Sequence, residues 1–160
     1  MEINYTNSIG QRGEFFFKNF LIENDIKFID NRLAMVLQDR EYYDQIRKTT
    51  IKYKTLIKKH QFDFIVNNLN IEIKTSKILY KNTVGCVWSK NDFKNIHYVI
   101  LFVIDRTLNF HSMYIFDNKY INQHPAVKFQ LNTRNKVLKR HSPITEEELL
   151  ALLITSNKKI

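Results

Sequence analysis

FDFIVNNLNIEIK, residues 62–74, sets two alternating apolar runs on either side of the pair Asn67-Asn68. A two-residue asparagine turn between alternating runs is a strong short-range signal for a β-hairpin, because asparagine tolerates the positive φ such a turn demands. With the turn centred on Asn67 and Asn68, opposed residues have numbers that sum to 135, so Val66 meets Leu69, Phe64 meets Ile71 and Asp63 meets Glu72. Successive side chains along a strand point to opposite faces. Phe62, Phe64, Val66, Leu69, Ile71 and Ile73 are therefore expected on one apolar face, with Asp63, Ile65, Asn70, Glu72 and Lys74 on the other.

Opposing Asp63 and Glu72 is costly. Two like charges about 4 Å apart repel by roughly 1 kcal/mol in water and roughly 4 kcal/mol at an effective dielectric near 20. A favourable cross-strand pair returns only about 0.2–1 kcal/mol. A positive group is expected beside the pair, and the candidates are Lys74 or a divalent cation held by carboxylate oxygens. The alternative is a solvated hairpin face with no chemical role.

Working outward, 160 residues suit a single domain, 1–160, able to bury its own core. An apolar fraction of 44% with 13% aromatics excludes a disordered chain, and three glycines with two prolines leave little room for a linker. Cys86 is the lone cysteine, which excludes an internal disulfide and a multi-cysteine zinc site; a small buried side chain is expected there. No apolar stretch approaches a membrane span and the first residues lack a signal-peptide pattern, so a soluble intracellular protein is expected, with no membrane partner.

The net charge is +9, unevenly spread: residues 1–46 hold eight acids against five bases, a local −3, so the remainder carries +12. Two acid-free segments supply most of it, residues 47–60 with Arg47, Lys48, Lys52, Lys54, Lys58 and Lys59, and residues 128–141 with Lys128, Arg134, Lys136, Lys139 and Arg140. Such stretches suit a polyanion, and nucleic acid is the commonest one inside cells; a solvated basic surface is the plainer alternative.

Ser8 and Gln11 have the spacing of a capping box, opening a helix to about residue 23 or 24 with Phe16, Phe17, Phe20 and Leu21 as its apolar stripe. Glu14 lies seven positions before Leu21, about 20° away on the helical wheel, and so turns towards that stripe. A short strand is expected at residues 26–29, leading into 33–37. Residues 39–59 mix helical and extended signals, read as helix followed by a less regular basic stretch. Residues 75–91 read as a long loop or short helix containing Trp88. Residues 96–105 form a buried strand, paired across a turn at 106–109 with a strand at 110–117, and a further strand is expected at 125–131. Thr145 and Glu148 form another capping box, opening a final helix to about residue 154. The order predicts an α/β (α+β) domain with a central mixed sheet flanked by helices.

These residues resemble the PD-(D/E)XK nuclease superfamily, which includes restriction endonucleases and Holliday junction resolvases. The match is Asp63, eight intervening residues, then Glu72, Ile73 and Lys74, with Glu14 in GQRGE resembling the family's first-helix acid. Phe62 stands where the family often has proline, and residues 31–60 read as an insertion concerned with DNA binding or oligomerisation. The resemblance implies a restriction-endonuclease-like core and a Mg²⁺-dependent DNA endonuclease, with Mn²⁺ able to substitute. Asp63, Glu72 and the backbone carbonyl of Ile73 would hold the metal, Lys74 would orient the attacking water, and Glu14 would act through water or a second metal.

Double-stranded DNA is the expected substrate, contacted by Arg47, Lys48, Lys52, Lys54, Lys58, Lys59, Arg134, Lys136, Lys139 and Arg140, with Asn132 and Asn135 near the second segment. A site-specific enzyme of restriction or homing type is favoured over a junction resolvase; an inactive DNA-binding protein on the same fold is the alternative from another class. Paired cleavage needs two active sites, so a homodimer or higher homo-oligomer is expected. The histidines show no metal-binding grouping, and no glycine-rich phosphate loop or G-x-S-x-G elbow occurs.

Overall fold

The computed structural model describes residues 9–30, 62–88, 95–131 and 141–155. Along the chain come helix α1 (Ile9–Glu23), strands β1 (Phe28–Asp30), β2 (Phe64–Val66) and β3 (Leu69–Lys77), a 3₁₀ turn (Tyr80–Asn82), and strands β4 (Thr83–Val87), β5 (Tyr98–Ile104) and β6 (Phe110–Asp117). Helix α2 (Asn118–Gln123), strand β7 (Ala126–Gln130) and helix α3 (Glu146–Thr155) follow. The first sheet runs β1-β2-β3-β5-β6, with β3 and β5 parallel and every other neighbour antiparallel. Its mixed character follows from the connections. Tight turns join β2 to β3 and β5 to β6, whereas residues 78–97 give β3 and β5 the long crossover that parallel neighbours need. A central mixed sheet flanked by helices is thus what forms.

One face of this sheet is covered by α1 and α3. Phe17, Phe20 and Leu21 of α1 and Leu149 and Leu153 of α3 pack on Phe64, Val66, Ile71, Ile73, Ile100 and Phe102. Each such side chain contributes about 1.5–3 kcal/mol when fully buried. Helix α1 ends where Asp25 adopts φ 53° and Ile26 N–H reaches back to Leu21 O at 2.9 Å, a left-handed C-terminal stop. Helix α3 begins as its sequence predicts: Glu148 N–H donates to Thr145 Oγ1 at 3.1 Å, and Thr145 N–H donates to Glu148 Oε1 at 3.4 Å. Asn67 Nδ2 donates to Leu153 O at 2.8 Å, tying the hairpin turn to this helix.

The other face carries a second core of Val99, Leu101, Val103, Tyr114 and Phe116, closed by Val84, Trp88, Ile121, Val127 and Phe129. Its cover corrects the expectation of a loop or short helix over residues 75–91. Strand β3 continues to Lys77, and Thr83–Val87 forms β4, which pairs with β7 in a separate two-stranded sheet. The β-branched Thr83, Val84 and Val87 favour that conformation, with Val84 opposite Phe129 and Cys86 opposite Val127. Phe62 also departs from expectation: it packs against this second core, not with Phe64 and Val66. Strand β1 lies slightly later than predicted, and α2 was not foreseen; Asp117 caps it by accepting from Tyr120 N–H at 2.8 Å. The insertion at 31–60 lies outside the described residues. Among the described residues no helix is long and apolar enough to cross a membrane.

Candidate active site

Between Phe64 and Ile71 the hairpin has the register its sequence dictates, but the ladder stops there and the expected pairing of Asp63 opposite Glu72 is not part of it. Asn67 and Asn68 take φ 49° and 65°, the left-handed values of a two-residue turn, and the pairs Val66–Leu69, Ile65–Asn70 and Phe64–Ile71 follow. At Asp63 the ladder changes. Its N–H donates to Ile71 O at 3.1 Å, and its own Oδ2 accepts Ile73 N–H at 2.9 Å. A side-chain carboxylate therefore substitutes for a strand carbonyl, which ends β2 at Phe64 and explains why Phe62 turns to the opposite core. Asp63 is only 4% exposed, so this bond is shielded from water. A charge-assisted bond of this kind contributes more than a neutral one.

Glu72 and Lys74 leave β3 on the face away from α1. Their partners on β5 are Val99 and Leu101, both fully buried, so the two charged groups stand beside apolar side chains. Lys74 Nζ lies 3.7 Å from Glu72 Oε1, with the side chains 31% and 14% exposed. Lys74 is thus one positive group already in position beside Glu72. Partial burial strengthens this pair relative to a surface one.

Cys86 of β4 is a neighbour that sequence reasoning missed. Burial pushes its thiol up from the ordinary 9.0 to about 11; Lys74 acts to lower it and Glu72 to raise it further, so the thiol feels both charges. No local signal marks this proximity, since it depends on β4 folding back over β3 through its pairing with β7.

Glu14 is buried, as its helical position predicts. Helix α1 reaches β3 at Gly13, whose N–H donates to Thr75 Oγ1 at 3.1 Å, while Thr75 Oγ1 donates to Gly10 O at 3.2 Å. A Cβ on Gly13 would collide with Thr75 Oγ1 and lie 3.1 Å from Ile73 Cγ2, so only glycine allows this approach. Thr75 and Ile73 belong to the helix-covered face, whereas Glu72 and Lys74 project from the other. Among the described residues no group of three or more His, Cys, Asp or Glu side chains is arranged to hold a metal ion. The contacts of the two carboxylates are separate ones, Asp63 with Ile73 N–H and Glu72 with Lys74.

No family model, curated protein or solved structure matches this chain.

Arg47, Lys48, Lys52, Lys54, Lys58, Lys59, Arg134, Lys136, Lys139 and Arg140 lie outside the described residues. Lys128 stands exposed on β7. The chemistry available here is thus the Glu72 carboxylate, the Lys74 ammonium group and the Ile73 carbonyl along β3, with the Asp63 carboxylate bonded to the same strand from just before β2.

Proposed function

We propose that this protein is a Mg²⁺-dependent DNA endonuclease with a PD-(D/E)XK, restriction-endonuclease-like core. The observation that carries this reading is the gathering of Asp63, Glu72 and Lys74 on the hairpin, with Asp63 bonded to the backbone between the other two. Asp63, Glu72 and the Ile73 carbonyl fit Mg²⁺ by donor chemistry: all are hard oxygen donors, and Mg²⁺ is commonly held by one or two carboxylates with water and substrate phosphate completing its shell. A bound Mg²⁺ would polarise a phosphoryl oxygen and make a water molecule more acidic.

The remaining work falls to the chain's own groups. Ile73 N–H holds Asp63 in one orientation, which reduces the reorganisation needed when substrate arrives. The Lys74 ammonium orients the attacking water and offsets the negative charge that builds on phosphorus. Val99 and Leu101 keep the neighbourhood of Glu72 and Lys74 apolar on one side, which strengthens both interactions. Glu14 is buried on α1, on the face opposite Glu72 and Lys74, and no step is assigned to it. Cleavage of both strands requires a second copy, so the active form is a homodimer or larger symmetric assembly.

Site-specific cleavage of double-stranded DNA is favoured over junction resolution, because the long segment at 31–60 and the strands beyond β5 depart from a minimal resolvase. Cleavage of linear duplexes and four-way junctions by wild type, Lys74→Ala and Asp63→Ala tests the proposal. Both variants should lose cleavage, with DNA affinity largely retained. Full activity in Asp63→Ala would overturn the assignment, and preferential cutting of junctions would replace the site-specific reading.

A further inference from the structure

We propose that a cleft adjoining the carboxylates receives one unstacked nucleobase of the DNA substrate. This inference rests on the nuclease reading and names a part of its substrate contact. The cleft has a volume of about 520 Å³ and is lined by Phe62, Asn70, Asn95, Ile96, His97 and Asn118. Asp63, Glu72 and Lys74 do not line it, but two of its lining residues adjoin them along the chain: Phe62 precedes Asp63, and Asn70 lies two residues before Glu72 on the same face of β3, about 7 Å along the strand. A strand whose phosphate lies at Glu72 and Lys74 brings its neighbouring base to this cleft.

The lining selects the class of ligand. It holds one phenyl ring, one imidazole and three carboxamides, and no Asp, Glu, Lys or Arg. A phosphate would find no fixed positive charge there and a metal ion no carboxylate. A planar heterocycle would find a ring to stack on and neutral groups to bond its edge.

Those groups are held in set orientations. Asn70 N–H donates to His97 Nδ1 at 2.9 Å and His97 N–H donates to Asn70 O at 2.9 Å. Because Nδ1 accepts, the His97 ring carries its proton on Nε2, which makes Nε2–H a donor. Asn70 Nδ2 donates to Asn95 O at 2.8 Å and Asn118 Nδ2 donates to Ile96 O at 2.7 Å. These bonds fix both amides, with Asn70 Oδ1 as an acceptor. A donor and an acceptor with preset orientation lower the ordering cost of binding.

A base seated in a concave cleft has left the helical stack, so it is either extruded from a duplex or already unpaired. Oligonucleotides carrying 2-aminopurine at successive positions, as single strand and as duplex, bound to metal-free wild-type protein, distinguish these sources. Anisotropy reports binding, and 2-aminopurine fluorescence reports unstacking. The expected result is a rise in fluorescence at one position. A rise in both substrates identifies extrusion, and a rise in the single strand alone identifies capture of an unpaired base. Phe62→Leu and His97→Ala should each abolish the rise, with Phe62→Leu weakening binding about fivefold or more. Two variants guard against loss of folding in one. Tight binding with no rise at any position overturns the cleft proposal and leaves the nuclease reading standing. Absence of both binding and Mg²⁺-dependent cleavage in wild type overturns the nuclease reading, and the cleft proposal with it.

Discussion

Asp63 has two duties that substitution can separate. Its Oδ2 accepts the buried N–H of Ile73 at 2.9 Å, and its charge is assigned to metal binding. Asp63→Ala removes both and leaves a buried backbone donor without its partner, which costs about 1–3 kcal/mol. Asp63→Asn keeps an oxygen of the same geometry for Ile73 N–H and removes only the charge. Trp88 is the sole tryptophan and is 2% exposed, so its fluorescence follows urea unfolding of the second core. With a slope of about 2 kcal/mol per molar urea, a loss of about 2 kcal/mol lowers the midpoint by about 1 M. Asp63→Ala should show that shift, while Asp63→Asn should unfold within about 0.5 M of wild type on the same scale. Both should fail to cleave DNA. An Ala variant as stable as wild type, or an Asn variant as unstable as Ala, would refute the role given to this carboxylate in holding β3.

Gly13→Ala tests the seating of α1 on β3. Overpacking against Thr75 and Ile73 costs about 1–3 kcal/mol, more than the roughly 0.8–1 kcal/mol that alanine gains in a helix, so the variant should be destabilised. Adding Thr75→Ala removes the colliding oxygen, and the double variant should lose less than the two single losses combined; a Gly13→Ala protein more stable than wild type would contradict the close approach. Cys86 tests the electrostatics beside the site. Its folded thiol titrates at about 11 against an ordinary 9.0, so the folded state holds the proton more tightly and the contribution to stability falls as pH rises between those values. The loss should reach at most about 1.4 kcal/mol per pH unit relative to Cys86→Ser, and a pH-independent difference would contradict it. Alkylation of Cys86 should be faster in Glu72→Gln and slower in Lys74→Ala, because the first removes a raising charge and the second a lowering one.

The hairpin was legible because its determinants are local. Asn67 and Asn68 supply the positive φ, and alternation supplies the faces. Alternation failed at Phe62, since Asp63 replaces a backbone bond with a side-chain bond, and periodicity carries no information about that. The capping pair Thr145 and Glu148 and the inward turn of Glu14 were likewise readable from spacing alone. Strand β4 was not, because TVGCV is short and its stability comes from β7, far along the chain. The six residues of α2 offer no apolar period. The cleft beside Asn70 depends on the parallel pairing of β3 with β5, which brings His97 and Asn118 to a strand distant in sequence. Long-range pairing, not residue identity, concealed those features.

The most direct measurement is the fate of DNA exposed to the protein with Mg²⁺. Mixed plasmid and phage DNA is incubated with wild type and with Glu72→Gln, which preserves side-chain size and removes the charge, and the resulting ends are sequenced. Wild type should produce Mg²⁺-dependent ends clustered at a shared sequence, and Glu72→Gln should produce none. Intact DNA from wild type with either Mg²⁺ or Mn²⁺, or equal cleavage by both proteins, would contradict the assignment of Asp63, Glu72 and Lys74 as a hydrolytic site.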